Sequence, residues 1–181
     1  MAGQPGAVAI TPDDKDWTWV LERPCPECGF DAGAIEPASV GDLVRQNASA
    51  WQRVLAAPAV GVRHRPDRWS TLEYACHVRD VFRLYLERLE LMLAEDGVHF
   101  PNWDQDAAAV EQRYDQQQPA TVAVELTRAA AALADRFDEV EGEQWSRRGV
   151  RSDGAAFTVD SFARYFVHDP VHHLWDVGGA P

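Results

Sequence analysis

Four stretches of this chain repeat apolar residues at intervals of three and four, a period that commits most of its length to amphipathic helices. The first runs from about Val40 to Ala57, with Val40, Leu43, Val44, Ala48, Trp51 and Leu55 on one face, Ser39 as its cap and Pro58 as its stop. The second opens on Ser70-Thr71-Leu72-Glu73, a capping box, and continues through Tyr74, Val78, Val81, Tyr85, Leu89 and Met92 towards Gly97. The third starts at Pro119 and carries Val122, Leu126, Ala129, Leu133, Phe137 and Val140. The fourth begins near Thr158 or Asp160, buries Phe162, Phe166, Val167 and Leu174, and ends at Gly178-Gly179. A short helix is expected from Gln105 to Tyr114, and residues 141–157 read as a loop holding a short hairpin. Four long helices with few strand signals predict an all-α four-helix bundle over residues 39–178. Before it stand a loose tail (1–16) and an irregular, turn-rich segment (17–38).

At 181 residues and 46% hydrophobic, the chain suits one domain with a full core. A formal net charge of −12, from 29 acidic and 17 basic residues, repels phosphate backbones and anionic lipid, so neither nucleic acid nor membrane is an expected partner. The opening MAGQPGAVAITPDDKD has neither a basic region nor an apolar run, so no secretory signal is expected. Three cysteines fit a reducing compartment, and the expected location is the cytoplasm. A homodimer is compatible with all of this.

The histidines carry the chemistry. His77 lies on the apolar stripe of the second helix, where a single imidazole is ordinarily a core residue. His168 and His172, four residues apart, project from one face of the last helix and can chelate one ion. His77 is the matching third ligand from a facing helix. Three neutral imidazoles suit zinc, nickel, copper or iron(II) and leave coordination positions open for water or substrate. The rival reading makes HDPVHH a solvated helix end. His173 sits about 100° around the helix from His172, away from that ion unless Pro170 distorts the backbone. His64 and His99 read as surface histidines. Carboxylates one turn away can orient the imidazoles: Glu73 and Asp80 beside His77, and Asp176 beyond His172. Glu73 has a competing role in the capping box.

Cys25-Pro26-Glu27-Cys28-Gly29 resembles half of a zinc knuckle. A structural zinc needs four ligands, and no second cysteine pair exists, so His64, His99 or a partner chain would have to complete it. A redox dithiol is a further alternative. The favoured reading is a tight reduced turn, with Cys25 and Cys28 dispensable for the histidine-bound ion. No Gly-rich phosphate loop, G-x-S-x-G elbow or HExxH sequence is present.

Trp69, Glu73 and His77 in WSTLEYACHVRDV, followed by His168 and His172 in HDPVHHLWDV, resemble the DinB-like superfamily over roughly residues 39–178. The resemblance implies an up-down-down-up bundle with a metal between its helices, and the three histidines as ligands. It also implies kinship with the metal-binding domain of mycothiol-dependent maleylpyruvate isomerase and related low-molecular-weight thiol S-transferases. Where that family often continues with Arg-Gly-Gln, this chain has His173, Leu174 and Trp175. The isomerase's extra C-terminal domain has no counterpart, so isomerase activity in particular is not expected. The expected function is thus divalent-metal-dependent thiol S-transfer. The ion would be zinc or nickel, and the partners a small thiol such as mycothiol and an electrophilic substrate. A metal-dependent hydrolase and a non-catalytic ligand-binding bundle are the alternatives.

Overall fold

The computed structural model describes residues 10–12 and 15–179; most of the tail expected over residues 1–16 lies outside the described residues. Five α-helices form: α1 (Val40–Leu55), α2 (Thr71–Ala94), α3 (Gln105–Glu111), α4 (Pro119–Asp138) and α5 (Val159–Asp176). The long ones, α1, α2, α4 and α5, make the four-helix bundle.

Cross-helix pairs fix their directions. Arg79 meets Glu125 and Arg136 meets Glu90, so α2 and α4 run parallel. Arg45 pairs with Asp135 and Asp138 while Gln52 reaches Ala123 and Thr127, so α1 and α4 are antiparallel. Tyr85 stacks on Phe162 while His77 meets His173, so α2 and α5 are antiparallel. The order is therefore up-down-down-up. Two consecutive parallel helices need a crossover, and residues 95–118 supply it. That crossover contains β1 (Val98–Phe100), which pairs in parallel with β2 (Arg148–Arg151); β2 in turn pairs antiparallel with β3 (Ala156–Thr158). The expected hairpin is thus real, and it gains a third strand from the crossover.

The second helix starts as its sequence predicts. The Ser70 hydroxyl accepts the Glu73 N–H, and the Glu73 carboxylate accepts the Ser70 N–H. Ser39 behaves differently from expectation. Its backbone is already helical, at the end of a 3-10 turn, and its hydroxyl donates to the Glu36 carbonyl instead of capping α1. Gly178, at φ +71°, closes α5, with Gly178 N–H and Gly179 N–H returning to Trp175 and Leu174.

The core is aromatic at the level where α2, α4 and α5 meet. Phe82, Phe137, Phe162 and Phe166 are all at most 2% exposed. Residues 17–38 form no long element, but they pack on α5 through Val20, Cys25, Phe30 and Ala32, and the Arg164 guanidinium donates to the Ala32 carbonyl. Among the described residues, no helix is long and apolar enough to cross a membrane.

Candidate metal centres on α5

The sequence HDPVHH contains two pairs at i,i+4 spacing, 168 with 172 and 169 with 173. Each pair shares a helix face, and the faces differ by the 100° of one residue. The structure uses both. The ligand atoms of His77, Asp169 and His173 lie within 4.8 Å of one another, and so do those of Cys25, Cys28, His168 and His172. His77 is thus brought to His173 rather than to the His168–His172 pair, and that pair meets the two cysteines.

The first group straddles α2 and α5. His77 Nε2 is 3.4 Å and His173 Nε2 is 3.9 Å from Asp169 Oδ1. His77 is fully buried, yet neither of its ring nitrogens makes a hydrogen bond, and neither does Asp169 Oδ1. Buried polar atoms left unsatisfied cost about 1–3 kcal/mol each, so His77 Nε2 and Asp169 Oδ1, facing each other with no hydrogen bond, fit a cation between them. Burial would raise the Asp169 carboxyl, but the imidazoles of His77 and His173 override it and hold the group at about 2. Asp176 lies 2.9 Å from His173 Nδ1, which leaves Nε2 directed at Asp169. Aromatic rings wall the group: Trp103 stacks on His77, Trp69 sits at 5.2 Å from it, and Tyr74 at 5.0 Å from His173.

The second group lies one face over. Cys25 Sγ is 3.7 Å from His172 Nδ1, and Glu27 Oε2 is 3.2 Å from His172 Nε2. Burial keeps His172 neutral by lowering its pKa, and pushes the Cys28 thiol up to about 11. Trp17 lies 5.1 Å from both His168 and His172, and Phe30 lies 5.6 Å from His168.

The other carboxylates expected near the histidines have separate duties. Glu73 accepts from Arg63 and the Ser70 N–H. Burial alone would raise its carboxyl, but these donors hold it below the usual range. Asp80 pairs with Arg79 and Arg83 and accepts from the Tyr114 hydroxyl at 2.5 Å, which fastens α2 to the crossover. Asp176, expected beside His172, lies closer to the imidazole of His173 (2.9 Å) than to that of His172 (4.0 Å). Cys76, next to His77 in sequence, belongs to neither group: its sulfur lies 4.0 Å from the Tyr114 carbonyl oxygen, and burial pushes its thiol up to about 12.

A cavity of about 630 Å³ opens beside the first group. Its lining includes His77, Asp169 and His173, also His168 and His172 of the second group, and Tyr85, Arg88, Arg151 and Tyr165. Arg88 is only 5% exposed. It donates to the Pro101 carbonyl and lies over the rings of Tyr85 and Phe100, and among the described residues no carboxylate comes within ion-pair distance of it. Arg151, by contrast, is paired with Asp153.

A model of the DinB superfamily matches residues 14–177. The solved structure of YfiT from Bacillus subtilis, described as a probable metal-dependent hydrolase with an unusual four-helix bundle topology, aligns with a TM-score of 0.69 at 13% identity. The alignment covers 80% of this chain and 89% of that one. No curated protein matches the chain.

Proposed function

The chain belongs to the DinB superfamily, and from that premise we propose that it is a metal-dependent enzyme whose ion is held by His77, Asp169 and His173 in the cavity lining. The observation that carries this reading is the meeting of two orphaned buried atoms, His77 Nε2 and Asp169 Oδ1, with an imidazole nitrogen of His173 within 4.8 Å of both, beside a cavity large enough for a substrate. Two imidazoles and one carboxylate leave positions open, and a divalent ion there lowers the pKa of a thiol or water that enters them.

The chain's own residues do the rest. Asp176 keeps His173 in the orientation that presents Nε2. Trp69 and Trp103 hold the His77 ring and exclude water from its faces. Arg88 sits three turns along α2 from His77, about 16 Å along the axis, with its side chain leaning back towards the site. A buried cation without a carboxylate partner suits a substrate that carries its own acid group.

Thiol S-transfer is the reading we favour, with a small thiol such as mycothiol as nucleophile and an electrophilic, anionic substrate. The neighbours of the triad are aromatic rings, a setting that suits a nucleophile needing little help from a base. A thiol of pKa about 8.5 needs much less acidification than water at about 15.7. Hydrolysis is the second reading. YfiT's description favours it, and Asp104 and Asp106 line the same cavity, where a carboxylate can take a proton from water.

The test is spectroscopic. Adding mycothiol to cobalt-substituted protein should create a new thiolate-to-cobalt band, absent when His77 and His173 are both alanine. An unchanged spectrum at saturating thiol, with cobalt loading confirmed, would reject thiol transfer in favour of hydrolysis.

A further inference from the structure

We infer that Cys25, Cys28, His168 and His172 form a second, closed site that binds zinc and staples the irregular N-terminal segment to α5. The inference goes beyond the activity proposed above and does not depend on it.

Two thiols and two imidazoles are a donor set of the kind that structural zinc selects. Zinc–ligand bonds of about 2.0–2.3 Å place tetrahedral donors roughly 3.3–3.8 Å apart. The four donor atoms here already lie within 4.8 Å of one another, and Cys25 Sγ and His172 Nδ1 are at 3.7 Å. The turn that presents the sulfurs is built for the purpose. Gly29 N–H returns to the Cys25 carbonyl at 2.9 Å, Cys25 N–H donates to the Phe30 carbonyl at 2.8 Å, and Phe30 N–H points at the Cys28 sulfur. Gly29, at φ +74°, is where the backbone must turn left-handed. The spacer residue Glu27 engages His172 Nε2, so that Nδ1 faces the sulfur.

Burial completes the case. Cys25, His168 and His172 are 2%, 4% and 6% exposed and Cys28 is half-buried, with Trp17 packed against both imidazoles and Phe30 against that of His168. Four protein ligands leave no open position, so this ion is structural, unlike the one at His77. Its uptake displaces the two thiol protons to solvent, and no redox partner is needed. The ion closes a link between residues 147 positions apart. That link holds Trp17 and the turn Thr18–Leu21 as one wall of the cavity.

Zinc-edge X-ray absorption on untagged protein tests this. The double variant His77→Ala/His173→Ala should retain about one zinc per chain with two sulfurs at about 2.3 Å. Cys25→Ser/Cys28→Ser should lack that sulfur shell. Should the cysteine variant fail to fold, the wild-type protein answers alone: two thiols should react with dithionitrobenzoate only after a strong chelator is added. A sulfur-free spectrum, both thiols reacting before chelation, or a Cys25–Cys28 disulfide found by mass spectrometry would overturn the inference. None of these results bears on the ion at His77, whose loss is read from the other variant.

Discussion

At the scale of single residues, the site turns on a one-residue offset. His168 and His172 are visible in sequence as a chelating pair, and their spacing does place them on one face. The Asp169–His173 pair has the same spacing but starts with a carboxylate, which on a helix usually reads as a solvated charge. With His77 assigned to the first pair, the cysteines are left without partners and His173 without a role. Only tertiary placement, His77 on His173 and residues 25–28 on His168, separates the two sets. Two predictions belong here. Asp176→Asn should weaken metal binding at the His77 centre about 10–100-fold while leaving the sulfur-bound zinc in place, because its carboxylate is at hydrogen-bond distance from His173 (2.9 Å) and beyond it from His172 (4.0 Å). Isothermal titration of the apoprotein would measure it, and equal loss of both ions would contradict it. Glu73→Gln should cost about 1–3 kcal/mol at pH 7, because a buried carboxylate that accepts from Arg63 and a cap N–H loses its charge. The folded-state pKa of Glu73 is depressed, so its contribution is complete above the usual glutamate value and disappears as pH falls through the lower, folded one. Urea melts of the two proteins should therefore converge in acid; a gap independent of pH would show that charge is not the cause.

At the scale of elements, the long helices were legible because each is a stripe with a stop signal, and α2 begins at the expected capping box. Of the strands only the β2–β3 hairpin was anticipated, from its polar, Gly-containing turn; β1 was not, since three residues are too few to display a period and its partner lies about 50 positions away. Ser39 is the N-cap residue of α1 as its sequence position predicts, but its hydroxyl caps nothing, because Pro37–Ser39 already turns as a 3-10 helix. Close packing of α1 on α4 rests on one residue that no periodicity reveals. A Cβ added at Gly41 would meet the Ala134 carbonyl at 3.0 Å and the Asp138 carboxylate, which itself holds Arg45. The Ala134 carbonyl belongs to the α4 backbone and cannot swing aside. Gly41→Ala should therefore push the helices apart and destabilise by about 1–3 kcal/mol, despite the better helix propensity of alanine. Denaturant unfolding checks it, and a stabilised variant would mean the interface yields more easily than the backbone contact suggests.

At the scale of the whole molecule, α5 is a shared rail: two turns of one helix carry ligands for both proposed ions, at residues 168 and 172 on one face and 169 and 173 on the next. The two sites should nevertheless part company when metal is withdrawn. The centre at His77 has three protein ligands, a one-third exposed Asp169 and a cavity through which a chelator can enter. The site at Cys25 also has His168 and His172 on that cavity, but it offers four ligands, two of them thiolates, and Trp17 and Phe30 pack against its imidazoles. A mild chelator should remove the first ion and leave the fold nearly intact, because α2 and α5 remain joined by Tyr85, Phe162 and Phe166. A strong chelator should then remove the second and release residues 17–38, whose three short 3-10 turns hold few hydrogen bonds of their own. A ligand bound only to the folded state at about 100 times its Kd adds roughly 2.7 kcal/mol. For a chain of this length that is a midpoint change of about 5–10 °C. The expected record is thus two stages, a small shift followed by a fall of that size, with proteolytic cleavage near residues 17–38 appearing only after the second. Loss of both ions in one step, or a full fall in midpoint at the first, would show that the His77 centre holds the fold together and that the cysteine site does not.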